Sequence, residues 1–190
     1  MTTASPLLST NLRNDGRLWW RSLSSAIREH AEHNHLRADQ DLLAADHVLS
    51  QLDHTQGPQT YREFIQGAAD EVQDSINRLR AERLPRESPN KKFASPRLLV
   101  LPASGQGARG RTWFLNCLHA HYACAMLDDP ACEDRLHAAH VLVAQAVHLS
   151  DVGNLSGFIT GAMTEAEERI AALRASCEQH PVRVGRWTAR

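Results

Sequence analysis

Apolar residues recur every three or four positions along most of the chain, which is the spacing of one buried face of an α-helix. Leu42, Ala45, Leu49 and Leu52 form one such face. Gly-Pro and Gly-Asn pairs at 57–58 and 153–154 interrupt the pattern. The periodicity predicts six helices, at residues 18–35, 39–54, 60–83, 112–127, 130–150 and 155–179.

Two of the predicted helices carry recognisable start signals. Thr60, with Glu63 three residues later, has the capping-box pattern, in which each side chain accepts from a backbone N–H of the first turn. Asp129 before Pro130 is typical of an N-cap followed by proline in the first turn. We therefore expect helices to begin at these two places.

The two halves of the chain resemble each other in the same order. Residues 40–49 read QDLLAADHVL and residues 133–142 read EDRLHAAHVL, so six of ten positions are identical at an offset of 93. Farther along, FIQGA at 64–68 matches FITGA at 158–162, at an offset of 94. GRLWW at 16–20 likewise matches GRTWF. These matches predict the tandem duplication of a three-helix unit.

The predicted fold is all-α: a six-helix bundle with internal pseudo-two-fold symmetry and at most a short β ribbon formed by residues 7–8 and 98–101. The expected segments are a first unit with an extended lead-in at 1–84, a basic linker with a second lead-in at 85–110, a second unit at 111–179 and a basic tail at 180–190.

The fifth predicted helix carries a second apolar stripe, formed by Leu136, Val143 and Val147. A helix with two apolar faces is buried on two sides. We expect the second face to pack against the other three-helix unit, and a homodimer partner is the alternative.

Composition narrows the class of protein. The apolar content of 42% and the net charge of −1 are those of an ordinary globular protein, and they argue against capture of nucleic acid or of an acidic membrane by the molecule as a whole. The sequence contains no run of 18 apolar residues, no signal-peptide pattern and no CxxC motif. We therefore expect a cytoplasmic protein without a membrane partner.

Histidines are the main candidates for chemistry. His47 and His140 match in the alignment of the two units, and His137 lies three residues before His140. Neutral imidazole binds divalent metals well, so a metal site or an enzyme using these two histidines, with His30 as a further candidate, is the alternative to hydrogen-bonded structural histidines. We predict no cofactor.

Cys117, His121 and Cys124 lie at i, i+4 and i+7, a spacing that also suits zinc ligands. The residues 94 positions earlier include Leu23 and Ile27, so we interpret these positions as core. A serine or cysteine nucleophile next to a histidine is not legible in the sequence order.

The string GQGARG at 105–110 has the GxGxxG pattern of dinucleotide-binding loops, but neither a second strand nor the expected acidic residue follows it. We interpret it as a flexible entry loop. Arg109 and Arg111 remain candidates for binding an anion at the start of the fourth helix.

The aromatic pairs Trp19–Trp20 and Trp113–Phe114 occupy matching positions and are either core anchors or the walls of a cleft. Together these patterns favour a non-enzymatic protein that binds a small molecule or a protein partner between the two units, or at the face of a homodimer. A nucleic-acid-associated regulator acting through the basic linker and tail, which contains Trp187, is a second alternative.

Overall fold

All the secondary structure that the computed structural model describes, over residues 12–52, 57–82 and 105–179, is helical. The helices are α1 (Leu12–Ala31), α2 (His35–Ser50), α3 (Pro58–Ala81), α4 (Gln106–Ala125), α5 (Asp129–Val147) and α6 (Val152–Gln179). This confirms the prediction of an all-α protein with six helices. The predicted β ribbon and the basic tail lie outside the described residues.

All six helices begin earlier than predicted, and the difference is largest, at six residues, in α1 and α4. α1 starts at Leu12 and α4 at Gln106, so most of the GQGARG string is helical and α4 begins inside the predicted linker. Gly105 has a φ of 98° and stands immediately before the helix as its N-cap. The expected flexible entry loop is therefore wrong for residues 106–110.

The predicted helix starts are also corrected in α3 and α5. α3 begins at Pro58 after Gly57, so Thr60 lies inside the first turn instead of capping it. In α5 the side chain of Asp128 accepts from the backbone N–H of Ala131 at 3.2 Å, one residue before the expected cap.

Glycines lie where α1 meets α3 and where α4 meets α6. A Cβ on Gly16 would lie 2.0 Å from the carbonyl O of Phe64, and a Cβ on Gly110 would lie 1.9 Å from that of Phe158. α3 and α6 therefore approach α1 and α4 so closely that only hydrogen fits at these positions. α3 and α6 also have glycines at these contacts: Gly67 of α3 lies against the backbone of Arg13, and Gly161 of α6 lies against that of Gly107.

The helices form two sets of three that pack on each other. α1 packs on α2 and α3, and α4 packs on α5 and α6. The two halves meet mainly where α3 contacts α4, α5 and α6 and where α1 contacts α6.

Aromatic side chains fill the centre of this junction, where Trp19, Trp20, Trp113 and Phe114 are all buried. The indole of Trp20 packs edge-on against Trp113 and Phe114, with centroids 5.4 and 5.5 Å away. These aromatic pairs are core anchors and do not line a cleft.

The second apolar stripe of α5 is buried within the chain. Leu136 and Val143 are almost inaccessible, and Val143 and Val147 lie beside Gln66 and Ala69 of α3. α5 thus packs on the first half, as expected.

Candidate functional site

A groove of about 620 Å³ lies between α2 and α3 of the first half and α6 of the second. Its size falls in the range of small-molecule sites, which is about 300–1,000 Å³. The groove is lined by Asp46, Leu49, Ser50, Leu52, Tyr61, Ser156, Ile159 and Thr160.

The groove exists because one pair of helices stays apart. α5 packs directly on α3, whereas α2 makes no comparable contact with α6 among the described residues. Between α3 and α5 only a smaller space of about 330 Å³ remains, bordered by Asp70, His140 and His148 among others. The wider opening therefore belongs to α2 and α6.

The lining of the larger groove combines an apolar floor with a polar rim. Leu52, Tyr61 and Ile159 are buried and form the floor. The carboxylate of Asp46 and the hydroxyl of Thr160 are on exposed residues at the rim. Such a surface accommodates a molecule with an apolar body and a hydrogen-bond donor or a positive charge at one end.

The two predicted site histidines, His47 and His140, lie in different places, one on α2 and the other on α5. His47 is exposed and its Nε2 lies 2.8 Å from the side-chain amide nitrogen of Gln51, on its own helix. His140 is exposed beside α3, and His137 is also exposed. No contact described in the structure joins His47 to His140.

Burial in α2 and α5 gives a physical reason to separate these two histidines. Ala38, Ala45 and Leu52 are buried in and after α2, and the buried positions Cys132, Ala139 and Ala146 follow at an offset of 94. The sequence match that paired the histidines has an offset of 93. Val141 lies 94 positions after His47, and Asp46 lies 94 positions before His140.

His30 lies in a polar cluster between α1, α2 and α6. Its Nδ1 is 2.9 Å from Nδ1 of His35, and Arg174 donates from Nε to its Nε2 at 3.3 Å. Arg174 also binds the carboxylate of Asp39. Burial lowers the pKa of His30, the positive charges of Arg174 and His35 lower it further, and Asp39 opposes them.

A second cluster of similar form lies between α3, α4 and α5. Arg80 contacts Sγ of Cys132 at 3.5 Å and the carboxylate of Glu133 at 2.5 Å. Burial, together with the neighbouring Cys124 thiol, raises the pKa of Cys132 to about 11, so this thiol is protonated at neutral pH. Arg80 and Arg174 each reach from one half of the molecule to the other.

The arginine proposed as an anion ligand is already bound to carboxylates. Arg111 contacts Glu168 through two nitrogens at 2.6 and 2.8 Å, and Glu165 at 3.4 Å. These carboxylates occupy the guanidinium donors that an anion would need. Arg109 lies half-buried in the second turn of α4.

One close polar pair was not apparent from the sequence. Oγ of Ser75 in α3 lies 2.5 Å from Nε2 of His121 in α4, and Nδ1 of that ring lies 2.9 Å from the Cys117 carbonyl O. The i, i+4 relation of Cys117 and His121 was a usable signal, but the packing of α3 that brings Ser75 to the ring was not.

The part of the chain that the structure describes contains no group of three or more His, Cys, Asp or Glu side chains arranged to hold a metal ion. Within that part, no helix is long and apolar enough to cross a membrane.

Comparison of the chain with protein-family models, with curated proteins and with solved structures gave no match.

Proposed function

We propose that this protein binds a small amphipathic molecule in the groove between α2, α3 and α6. The observation that carries the proposal is the groove of about 620 Å³ at the junction of the two halves. Its floor of Leu52, Tyr61 and Ile159 suits an apolar body. The ligand's polar end is a hydrogen-bond donor or a cation, because Asp46 supplies a carboxylate at the rim.

The direct test is a thermal-shift screen of the intact chain with small amines and alcohols that carry an apolar body. A compound that binds only the folded chain stabilises it by about 2.7 kcal/mol at one hundred times its dissociation constant. Thr160→Trp fills the groove from an exposed position and removes that stabilisation. Glu167→Trp is the control, because Glu167 is exposed on the same helix but does not line the groove.

Two results decide the outcome. Compounds that stabilise the wild type and Glu167→Trp, but not Thr160→Trp, support the proposal. If no compound stabilises the wild type, or if every active compound stabilises Thr160→Trp equally, the groove is not a binding site. If compounds do bind, Asp46→Asn tests whether the carboxylate recognises a positive charge, because this substitution weakens the binding of cationic compounds more than that of neutral ones.

Association with a second copy of the chain is a second candidate, because α2 exposes two large apolar side chains. Leu36 is 75% exposed and Leu43 is 67% exposed, and they lie two helical turns apart on α2. Sedimentation equilibrium of the wild type and of Leu36→Glu with Leu43→Glu tests this candidate. A wild type that stays monomeric at all concentrations contradicts it.

We also propose that the chain arose by tandem duplication with a packing offset of 94. Supporting contacts recur at that spacing: Gly16 abuts Phe64 and Gly110 abuts Phe158. Arg17 binds Glu71 and Asp74, as Arg111 binds Glu165 and Glu168. The clusters of Arg80 and Arg174 are related in the same way. An experimental structure in which the halves superpose at an offset other than 94 would contradict this proposal.

A further inference from the structure

Ser75 and His121 have the arrangement of a nucleophile and its general base. The Nδ1–H of His121 donates to the carbonyl O of Cys117 at 2.9 Å, which leaves Nε2 without a proton in the neutral ring. The Ser75 hydroxyl has one proton to donate, and two acceptors lie within reach: Nε2 of His121 at 2.5 Å and the carbonyl O of Val72 at 2.8 Å. Nε2 is the nearer of the two. A serine activated by an oriented imidazole is the general form of a nucleophilic pair.

The surroundings keep the imidazole neutral and hold it in place. Burial lowers the pKa of His121; the hydrogen bond to Cys117 opposes this, and the charge of Arg78 adds to the lowering. Trp20 lies beside the ring, with centroids 6.0 Å apart. The base is thus unprotonated at neutral pH, which is the state that accepts a proton.

Both side chains are half-buried. The guanidinium of Arg78, which is paired with Glu71, supplies positive charge near the ring.

The pair is not required by the packing of helices in this fold. In the packing register with an offset of 94, His121 corresponds to Ile27 and Ser75 to Arg169. Ile27 packs against the core, and Arg169 binds Glu165 on its own helix. The corresponding helices therefore pack with an apolar residue where α4 has the imidazole.

We propose that Ser75 is a nucleophilic serine that accepts an acyl group from activated carboxylic esters, with His121 as its general base. Ser75 Oγ forms a bond to the carbonyl carbon of the ester while its proton moves to His121 Nε2. The bond from that carbon to the leaving oxygen then breaks. The departing alcohol takes the proton from His121, and an ester on Ser75 remains.

The test uses p-nitrophenyl acetate and the intact chain, with release of p-nitrophenol measured by absorbance and the acetylated residue located by peptide mass spectrometry. Acetylation of Ser75 is expected in the wild type and is absent in Ser75→Ala. The control is Ser24→Ala, because Ser24 is half-buried like Ser75 and its hydroxyl donates to the carbonyl O of Arg21. Ser24→Ala keeps the wild-type rate.

The role of His121 is tested by His121→Ile, which introduces the residue that occupies the matching position 27. The rate of Ser75 acetylation is expected to fall by at least about 100-fold, the lower end of general-base assistance. Acetylation elsewhere in place of Ser75, or an unchanged rate in Ser75→Ala or His121→Ile, overturns the proposal.

The pH dependence of the wild-type rate also tests whether His121 is the general base, and it needs no variant if His121→Ile does not fold. A general base of lowered pKa predicts a Ser75 acetylation rate that is level above about pH 6.5 and falls at lower pH. A rate that rises in proportion to hydroxide up to about pH 9 overturns the role of His121.

Discussion

The indole ring of Trp19 in α1 lies parallel to that of Trp113 in α4, with centroids 6.4 Å apart and an interplanar angle of 6°. Each ring also packs on a phenylalanine, Trp19 on Phe64 at 5.4 Å and Trp113 on Phe158 at 5.7 Å. The four rings join all the helices that form the junction of the two halves except α5. The four rings thus place a continuous aromatic cluster at the junction of the two halves.

Truncation of either indole is expected to be strongly destabilising. Trp19→Ala and Trp113→Ala each lower the free energy of unfolding by about 3–5 kcal/mol, because both side chains are buried and leave a large cavity. In a double-mutant cycle by urea denaturation, the two changes couple by about 0.5–1.5 kcal/mol. Tyr122→Ala, at an exposed aromatic, stays within about 0.5 kcal/mol of the wild type.

A methyl group at the helix contacts is expected to force α1 and α3 apart. Gly16→Ala places a Cβ 2.0 Å from a backbone oxygen, which is rigid, so the free energy of unfolding falls by at least about 1–3 kcal/mol. Gly110→Ala has the same effect on α4 and α6.

Gly157→Ala provides the matched control for these glycine changes. Its new Cβ meets its nearest neighbour at 3.7 Å, which is an ordinary contact, and Gly157 lies inside α6. The higher helix propensity of alanine then stabilises the chain by about 0.5–1 kcal/mol. Equal losses for Gly16→Ala and Gly157→Ala would contradict the close approach of the helices.

The carboxylate of Glu71 is fully buried and accepts from Arg17, Arg21 and Arg78. Glu71→Gln removes the charge and is expected to lower the free energy of unfolding by about 3 kcal/mol, as chemical denaturation will measure. Glu165→Gln is expected to have a smaller effect, because among the described residues Glu165 contacts two arginines, at 3.1 and 3.4 Å. A smaller loss for Glu71→Gln than for Glu165→Gln would contradict this ranking.

The same carboxylate contributes to acid sensitivity. Burial opposes ionisation of Glu71, but the hydrogen bonds from Arg21 and Arg78 outweigh it and hold its pKa below 4.5. Its stabilising contribution is therefore complete above about pH 4.5 and is lost as the pH falls below that value. In Glu71→Gln the free energy of unfolding varies less over this acidic range.

A separate pH effect is expected nearer neutrality. Burial, with the charges of Arg174 and His35, lowers the pKa of His30, and burial is also the largest cause of the lowered pKa of His119 and His121. As the pH decreases below about 6.5, the unfolded chain binds protons at these histidines before the folded chain does. The free energy of unfolding therefore decreases as the pH decreases through this range. Each histidine contributes up to about 1.4 kcal/mol per pH unit.

Urea denaturation between about pH 7.5 and pH 5.5 measures this slope. His30→Gln is expected to reduce it, because glutamine hydrogen-bonds without titrating. A slope in His30→Gln equal to that of the wild type would contradict the assignment.

The sequence identified the helices well because apolar spacing reports directly on the buried face of each one. It missed the starts of α1 and α4, because glycine is a poor helix former by propensity and only the close approach of α3 and α6 explains Gly16 and Gly110. The sequence identity at residues 40–49 also suggested an offset of 93, whereas the buried positions of α2 and α5 follow at 94.

The polar clusters were beyond sequence reasoning for a different reason. Arg174 and His30 are 144 positions apart, and Ser75 and His121 are 46 positions apart. Their contacts depend on how the two halves pack, and helical periodicity carries no information about that packing. The groove at α2 and α6 likewise depends on the distance between helices.

Arg80 and Arg174 join the two halves of the molecule through side chains, independently of the peptide that connects them. Each arginine extends from one half and binds an acidic residue at the start of a helix in the other, Glu133 in α5 and Asp39 in α2. Together with the tryptophan contact, they hold the halves by reciprocal interactions that do not involve the peptide between residues 82 and 105. We therefore expect a chain cleaved there to form two fragments that remain associated, and the two halves expressed as separate polypeptides to reassemble with each other.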